Sequence, residues 1–451
     1  MRASGLRPLA RVAMFVFNNL DHDARVHRQA ESLTAAGFLV RIFAFFDPPC
    51  RGFERFPAGY EVWRMDHRSQ FDRVWSEWFP RRRRELSVEG APPLQLPPSR
   101  TPRRPCPLPP ARSLPLESTP QQRGHRVFLR QVNLRWWHGA RPWKPDICIA
   151  HDLDALWAAQ ATALSCGSAL VYDNHEIWNE QHFLSDREEI VFWNQWEARL
   201  APSVDAWVTV NRSLAEVLRR RYGVEALAVH NCPQRRKLRP KLRGCMKESF
   251  QGRPVAIFSG GFHLGRGLEE MVAAALLQKE VAIVLQGFGP LEAPLRRLAE
   301  EQRAPVHFLP KAPYRELTDL CSQADIGVMP VLPDCLNSYY CSPNKMFDYM
   351  MAGLPVVAAD LPEMAALGHQ CGNTVLYDAH SPNDLAEKLV DLAQSPHLSE
   401  MARSSREWAE TTYNWEKECA RLVDLLRQLE ERRRARQLNP KIWVDPQIPL
   451  L

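Results

Sequence analysis

Short runs of apolar residues recur along the chain, each followed by a stretch whose apolar positions fall at helical spacing. RVAMFVF (11–17) leads into a helical pattern over 23–36, in which Val26, Ala30 and Leu33 share one face. Asp21 or Asp23 supplies the N-cap, and Gly37 stands where the chain must leave the helix. LVRIFAFF (39–46) is the next strand, followed by DICIA (146–150), ALVYD (169–173), AWVTV (206–210) and LAVHN (227–231). After a polar, basic stretch the pattern restarts with VAIFS (255–259), VAIVLQG (281–287), VHFLP (306–310), IGVMPV (326–331) and LPVVAAD (354–360). These runs are continuously apolar rather than alternating, as in parallel strands covered on both faces. The pattern predicts an α/β protein of two doubly wound, Rossmann-like domains facing across a cleft. The first spans 1–232, a linker spans 233–252, and the second spans 253–397. An amphipathic stretch at 398–435 is long enough to pack across both, and 436–451 form a tail.

Residues 80–124 break this rhythm. They hold nine Arg and three Glu, which is the whole net charge of +6 of the 451-residue chain, and eleven of its 37 prolines lie between Pro92 and Pro120. Proline at that density blocks helix and central strand alike, so a disordered insertion in the first domain is expected. The segment lacks the interleaved aromatics or folded module of a nucleic-acid binder, and no such partner is expected. Eleven cysteines without a CxxC pair, and no clustered histidines, argue against a disulfide framework and a zinc site and suit a reducing cytoplasm. No run approaches the ~18 apolar residues of a membrane span. Eleven of the 14 tryptophans lie between Trp63 and Trp207. Among them, RQVNLRWWHGARPWKP (130–145) mixes Arg, Lys and Trp as an interfacial patch does, so a peripheral contact with the inner face of the membrane is an expectation.

In doubly wound sheets ligands bind beyond the carboxyl ends of strands, where the next helix presents free N–H groups. FSGGFHLGRGLEE (258–270) is such a loop. Gly260 and Gly261 permit a tight turn, while Arg266 and Gly267 open a helix and bring a charge suited to a diphosphate. In SPNKMFDYMMAGLPVV (342–357), Ser342 suits the N-cap, Pro343 the first helical position, and Asn344 and Lys345 the first turn. Asp348 falls three residues after Lys345 and nearly on its face. Lys345 with the free amides suits phosphate, and Asp348 suits ribose hydroxyls; a Lys345–Asp348 surface pair is the alternative. Asp152-Leu153-Asp154 spells a DxD metal motif. Here it opens a helix, where both carboxylates suit the positive dipole end, and no metal site is expected.

The succession FSGGFHLGRGLEE, LQGFGP (285–290), VHFLPKAPYRELTDLCSQADIGVMPV (306–331) and SPNKMFDYMMAGLPVVAAD resembles the donor half of the GT-B glycosyltransferases of retaining family 4. DHDARVHRQAESLTAAGF (21–38), AHDLDAL (150–156), VYDNHEIWNE (171–180) and HNCP (230–233) are similar to the first half of a subset of that family. The resemblance implies a cytoplasmic, metal-independent hexosyltransferase of polysaccharide assembly, with no bound cofactor and a nucleotide-diphosphate-sugar as co-substrate. Its acceptor would be a glycan or a lipid-linked sugar. Carried over residue by residue, Gly260, Gly261, Arg266 and Gly267 meet the donor diphosphate, and Gly287, Phe288 and Gly289 border the base. Ser342, Pro343, Asn344 and Lys345 hold phosphate, while Asp348 matches the second glutamate of an E-x7-E element that contacts ribose. The first glutamate falls at Tyr340 and is absent, leaving Asn337, Ser338 or Ser342 to meet the transferred sugar. The glycine-rich loop of the first domain is replaced by Asn18 and Asn19. His151 resembles the histidine that faces the donor sugar. Glu176 orients His151 or binds an acceptor hydroxyl, with Asp152 also on the acceptor side. In transfer with retention the leaving phosphate takes the acceptor proton, and Arg266, Lys345 and two helix N-termini stabilise the developing charge. The missing glutamate and glycine loop leave a second class open, a GT-B protein that binds without turnover as a scaffold subunit.

Overall fold

A computed structural model describes residues 8–21, 23–47, 50–66, 120–180, 187–238, 244–342 and 344–438. The first half folds around an eight-stranded sheet of β1 (Arg11–Val16), β2 (Leu39–Phe46), β3 (Phe53–Arg55), β4 (Glu61–Asp66), β5 (Ile147–His151), β6 (Ala169–Asn174), β7 (Ala206–Thr209) and β8 (Ala226–Ala228). Their order is β3-β4-β2-β1-β5-β6-β7-β8, parallel throughout except for the antiparallel β3–β4 pair. The second half carries a six-stranded parallel sheet of β9 (Val255–Gly261), β10 (Ala282–Phe288), β11 (Val306–Leu309), β12 (Ile326–Met329), β13 (Val356–Ala359) and β14 (Thr374–Tyr377), ordered β11-β10-β9-β12-β13-β14. The order reverses between β1 and β5 in the first sheet and between β9 and β12 in the second. At such a reversal the flanking crossovers leave on opposite faces and a crevice opens at the strand ends.

The apolar-run pattern does not predict β3, β4 or β14. β3 and β4 form an edge interrupted by charged residues, Glu54, Glu61 and Arg64 among them. The half-covered β14 likewise lacks the continuous burial of central strands. The helix Ala24–Ala35 forms as its spacing requires, with Asp23 Oδ1 accepting from Val26 N at 3.1 Å. Its buried face holds Val26, Ala30 and Leu33 and also three polar residues, Arg25, Arg28 and Gln29.

One expectation changes at its boundary. The helix Pro120–Ala140 includes the last residues of the expected disordered insertion, whose residues 80–119 lie outside the described residues. In the tryptophan-rich stretch, Trp136 is fully buried and packs on Phe15, Phe17 and Phe45, and its indole N–H donates to Ala44 O at 3.2 Å. Trp143 and Trp63 each hold the Arg41 guanidinium, 4.5 Å from either ring. Among the described residues no helix is long and apolar enough to cross a membrane.

The amphipathic stretch after 397 is two helices, Leu398–Thr411 and Trp415–Leu438. Asn414 makes the break: its Nδ2 donates to Ala409 O and Glu410 O, and its Oδ1 accepts from Lys417 N. Residues of the first helix pack on the second sheet's core, while Trp415, Leu422 and Leu426 enter the core beneath the first sheet. Trp136→Ala should lower the stability of the first half by about 3–5 kcal/mol, read as the shift of its urea unfolding midpoint. A loss under about 1 kcal/mol would contradict the core assignment.

Candidate active site

The β9–β10 register sets Gly260 beside Gly287 and Gly261 beside Phe288. These residues form one wall of a cleft of about 1290 Å³, and Asp21, Asp23, His27, Arg28 and Tyr60 of the first half form the other. Gly260 has φ 154, and a Cβ there would overlap the Lys345 side chain. Glycine is thus required both by conformation and by the close approach of Lys345. Gly267, with φ 61, opens the helix Leu268–Leu277, and a Cβ there would strike the Pro330 carbonyl at the end of the neighbouring β12.

Lys345 occupies the first turn of the helix Asn344–Ala352, with its Nζ 4.9 Å from the Phe258 ring. Burial, and then the Arg266 guanidinium, depress its pKa to about 7. Burial and the same two cations pull His263 down as well. Asp348, one turn further on, is buried, and desolvation pushes it up to about 6 although Arg28 and Lys345 oppose the shift. Arg266 and Lys345 therefore form an electropositive pair, beside which His263 is pushed toward its neutral form and Asp348 is a weakened carboxylate. Phe288 is 47 % exposed beside Gly289, and Lys311 Nζ lies 4.3 Å from its ring. Asn344 begins the helix and is exposed, and Pro343 lies outside the described residues. Asn211 Nδ2, from the first half, donates to Tyr340 O at 2.8 Å and Ser342 Oγ at 3.3 Å.

On the facing sheet, the β5–β6 register places His151 beside Asp173. His151 Nδ1 and His175 Nε2 lie 3.3 and 3.2 Å from Asp173 Oδ2. Asp173 is fully buried; Arg25 donates to its Oδ1 at 2.9 Å and Gln29 to its Oδ2 at 2.7 Å. Burial alone would raise its pKa, but Arg25 and then His175 hold it well below the usual carboxylate range. Asp152 grips His175 twice, accepting from its backbone N–H at 2.9 Å and lying 3.1 Å from Nδ1. Against the pull of burial, Asp152 and Asp173 raise His175 to about 10. Asp152 does so from φ 65, ψ 172, a region that costs a non-glycine residue about 1–3 kcal/mol.

Several expected residues stand elsewhere than expected. His151 has no exposed side-chain surface, whereas the His175 side chain is 17 % exposed. Asn18 and Asn19 build the turn after β1, through Asn18 Nδ2 to Asp23 and Asn19 Nδ2 to Asp21, and it is Asp21 and Asp23 that reach the cleft. Glu176 is half-buried in the turn after β6. Asp152 and Asp154 do not act together at the helix dipole. Asp154 is buried, and desolvation followed by the charge of Asp152 raises its pKa well above the usual range, which favours the neutral acid. The expectation of no clustered histidines also fails in space: His151, Asp173 and His175 bring ligand atoms within 4.8 Å of one another from two strand ends. The residues that sequence reasoning missed, Arg25, Arg28, Gln29, Asp173 and His175, had one signal. Three of them interrupt the apolar face of Ala24–Ala35, which a merely structural helix would keep apolar.

Two doubly wound sheets meeting at a cleft, with a cationic cluster at one helix N-terminus, are the architecture of the GT-B fold. The two halves carry glycosyltransferase domains: residues 253–395 match the model described as Glycosyl transferases group 1, and residues 97–232 match Glycosyltransferase Family 4. The D-inositol 3-phosphate glycosyltransferase of Xylanimonas cellulosilytica is 26% identical over 332 residues, spanning 66% of this chain and 70% of that protein. In structure, sucrose-phosphate synthase from Thermosynechococcus elongatus superposes with a TM-score of 0.69 at 15% identity, covering 94% of this chain and 100% of the other. Anabaena HepE in complex with UDP-glucose gives 0.62 at 12% identity, covering 93% and 100%. Gly260→Ala puts a methyl where Lys345 passes and should weaken nucleoside-diphosphate binding by about tenfold or more, read by calorimetric titration. Unchanged affinity would separate Lys345 from the ligand.

Proposed function

We propose that the chain transfers a hexose from a nucleoside-diphosphate sugar to a hydroxyl of a glycan or lipid-linked acceptor, with retention of configuration. The observation that carries this reading is the pairing of Arg266 with Lys345, whose side chain passes Gly260 and whose pKa burial and then the Arg266 charge depress to about 7. A diphosphate supplies that anion, and the free amides of the helices Leu268–Leu277 and Asn344–Ala352 add to it. The leaving phosphate oxygen takes the proton of the attacking hydroxyl, and these fixed donors stabilise its charge as the glycosidic bond breaks, without a metal at the diphosphate. In this reading Asp348 accepts from ribose hydroxyls, and Gly287, Phe288 and Gly289 border the base. Asp23, His27, Glu31 and Tyr60 on the opposite wall offer hydrogen-bonding groups to the acceptor.

Arg266→Ala or Lys345→Ala should abolish release of nucleoside diphosphate while leaving the melting temperature in place; unchanged turnover in either would remove that residue from the donor site. The anomeric configuration of the first product, read by NMR, tests retention. Lys345 also gives donor binding a pH dependence. A bound diphosphate raises its pKa above the free value of about 7. Affinity is therefore full below that value and falls as pH rises through the window up to the higher pKa of the complex, by up to about tenfold per unit. Calorimetry at pH 8 in buffers of different ionisation enthalpy should show proton uptake on binding, and none would contradict the role.

A second reading has one observation in its favour, the tyrosine at 340 where the resemblance puts a sugar-contacting glutamate. Thermal stabilisation by nucleotide sugars without release of nucleoside diphosphate in the presence of acceptors would favour a binding subunit. Turnover would exclude it.

A further inference from the structure

The cluster at the ends of β5 and β6 is not explained by donor binding. His151 Nδ1, His175 Nε2 and Asp173 Oδ2 form a triangle with sides of 3.4, 3.2 and 3.3 Å. As a set of hydrogen bonds the triangle is overcrowded. Both ring nitrogens and Gln29 Nε2 would donate to one carboxylate oxygen, which has two lone pairs. Around the same carboxylate, Arg25 Nε, Gln29 Oε1 and His151 Nε2 are buried without a partner. These three atoms are not ligands of the triangle; they show that the polar groups around Asp173 are more numerous than their mutual hydrogen bonds.

We propose that His151, Asp173 and His175 hold one divalent transition metal of the zinc type, bound through His151 Nδ1, His175 Nε2 and Asp173 Oδ2. The ligand set decides the metal class: two imidazoles and one carboxylate suit zinc. Bonds of about 2.0–2.2 Å to a tetrahedral ion place ligand atoms about 3.3–3.6 Å apart, close to the observed sides of 3.2–3.4 Å. The surroundings are those of a metal site as well. The second ring nitrogen of His175 meets the Asp152 carboxylate at 3.1 Å, and Arg25 and Gln29 hold the ligating carboxylate. Such partners fix the tautomer and direction of the ligands. The fourth position lies on the side of His175, whose side chain alone among the three has exposed surface.

The ion sits apart from the diphosphate cluster and does not replace Arg266 or Lys345. It fixes the turn after His175, in which Ile177 N donates to Asn337 Oδ1 of the other half at 3.1 Å.

The test is elemental analysis of the full chain purified without chelator, then cobalt(II) titration after chelator treatment. We expect about one equivalent of zinc per chain and, on titration, the visible absorption of tetrahedral cobalt saturating at about one equivalent. His175→Ala should lose stoichiometric uptake, and Asp152→Asn should bind zinc about 10–100-fold more weakly. His380→Ala, at an exposed histidine elsewhere, should bind as the parent does. A folded parent chain that takes up neither metal at micromolar concentration overturns the proposal, as does equal uptake by His175→Ala. If His175→Ala does not fold, the titration of the parent and of Asp152→Asn decides.

Discussion

A carboxylate with no exposed surface governs the first half of the cleft. A buried charge persists only where partners and hydrogen bonds surround it, and removing one partner of such a pair costs about 3–5 kcal/mol. Asp173 is such a charge, and its needs account for features that are otherwise odd. They explain why the helix Ala24–Ala35 buries Arg25 and Gln29, and why two histidines end beside one strand terminus. Arg25 then reaches past Asp173 to Val229 O, and Arg28 to Cys232 O and Asn231. The residues that satisfy the carboxylate thus also hold the segment leading out of the first sheet.

The donor wall follows the opposite rule. Arg266 and Lys345 crowd one another with no full countercharge, and the nearby Asp348 is itself weakened by burial. Positive potential left unneutralised in a half-buried site is binding energy held for an anionic ligand. One wall surrounds its buried carboxylate with cationic and hydrogen-bonding partners, and the other leaves its cations to what binds there. That division suits a reaction in which charge builds up on the leaving diphosphate.

The sheets and most of their strands were readable because central parallel strands are continuously apolar and their helices keep a 3.6-residue rhythm. Edge strands such as β3 and β4 were not, since half-exposed residues leave no such run. The residues proposed for the donor show in the sequence because their signals are local: Gly260, Gly261 and Arg266 lie within one loop, and Lys345 and Asp348 within one helical turn. The cluster around Asp173 was not, because sequence spacing does not show which strand ends are neighbours. Asp152 was read as a helix-start residue, yet its carboxylate faces back to His175, held by a backbone conformation that no sequence pattern announces. The tryptophans of 130–145 are ambiguous in sequence, since a mix of arginine and indole suits a membrane interface and a cation–π stack equally well.

The chain passes between the two sheets twice, near Pro233 and again near Asn414, and Trp415 N donates to Pro233 O at 2.9 Å. The two passages are therefore lashed together rather than separate tethers. A single strand would let one half swivel in any direction, whereas a bonded pair resists torsion and leaves bending about one axis as the soft motion. The Trp415 indole also donates to Ser32 Oγ, on the helix that carries Arg25 and Arg28. The two crossings and the helix that carries Arg25 and Arg28 therefore form one hydrogen-bonded junction between the halves.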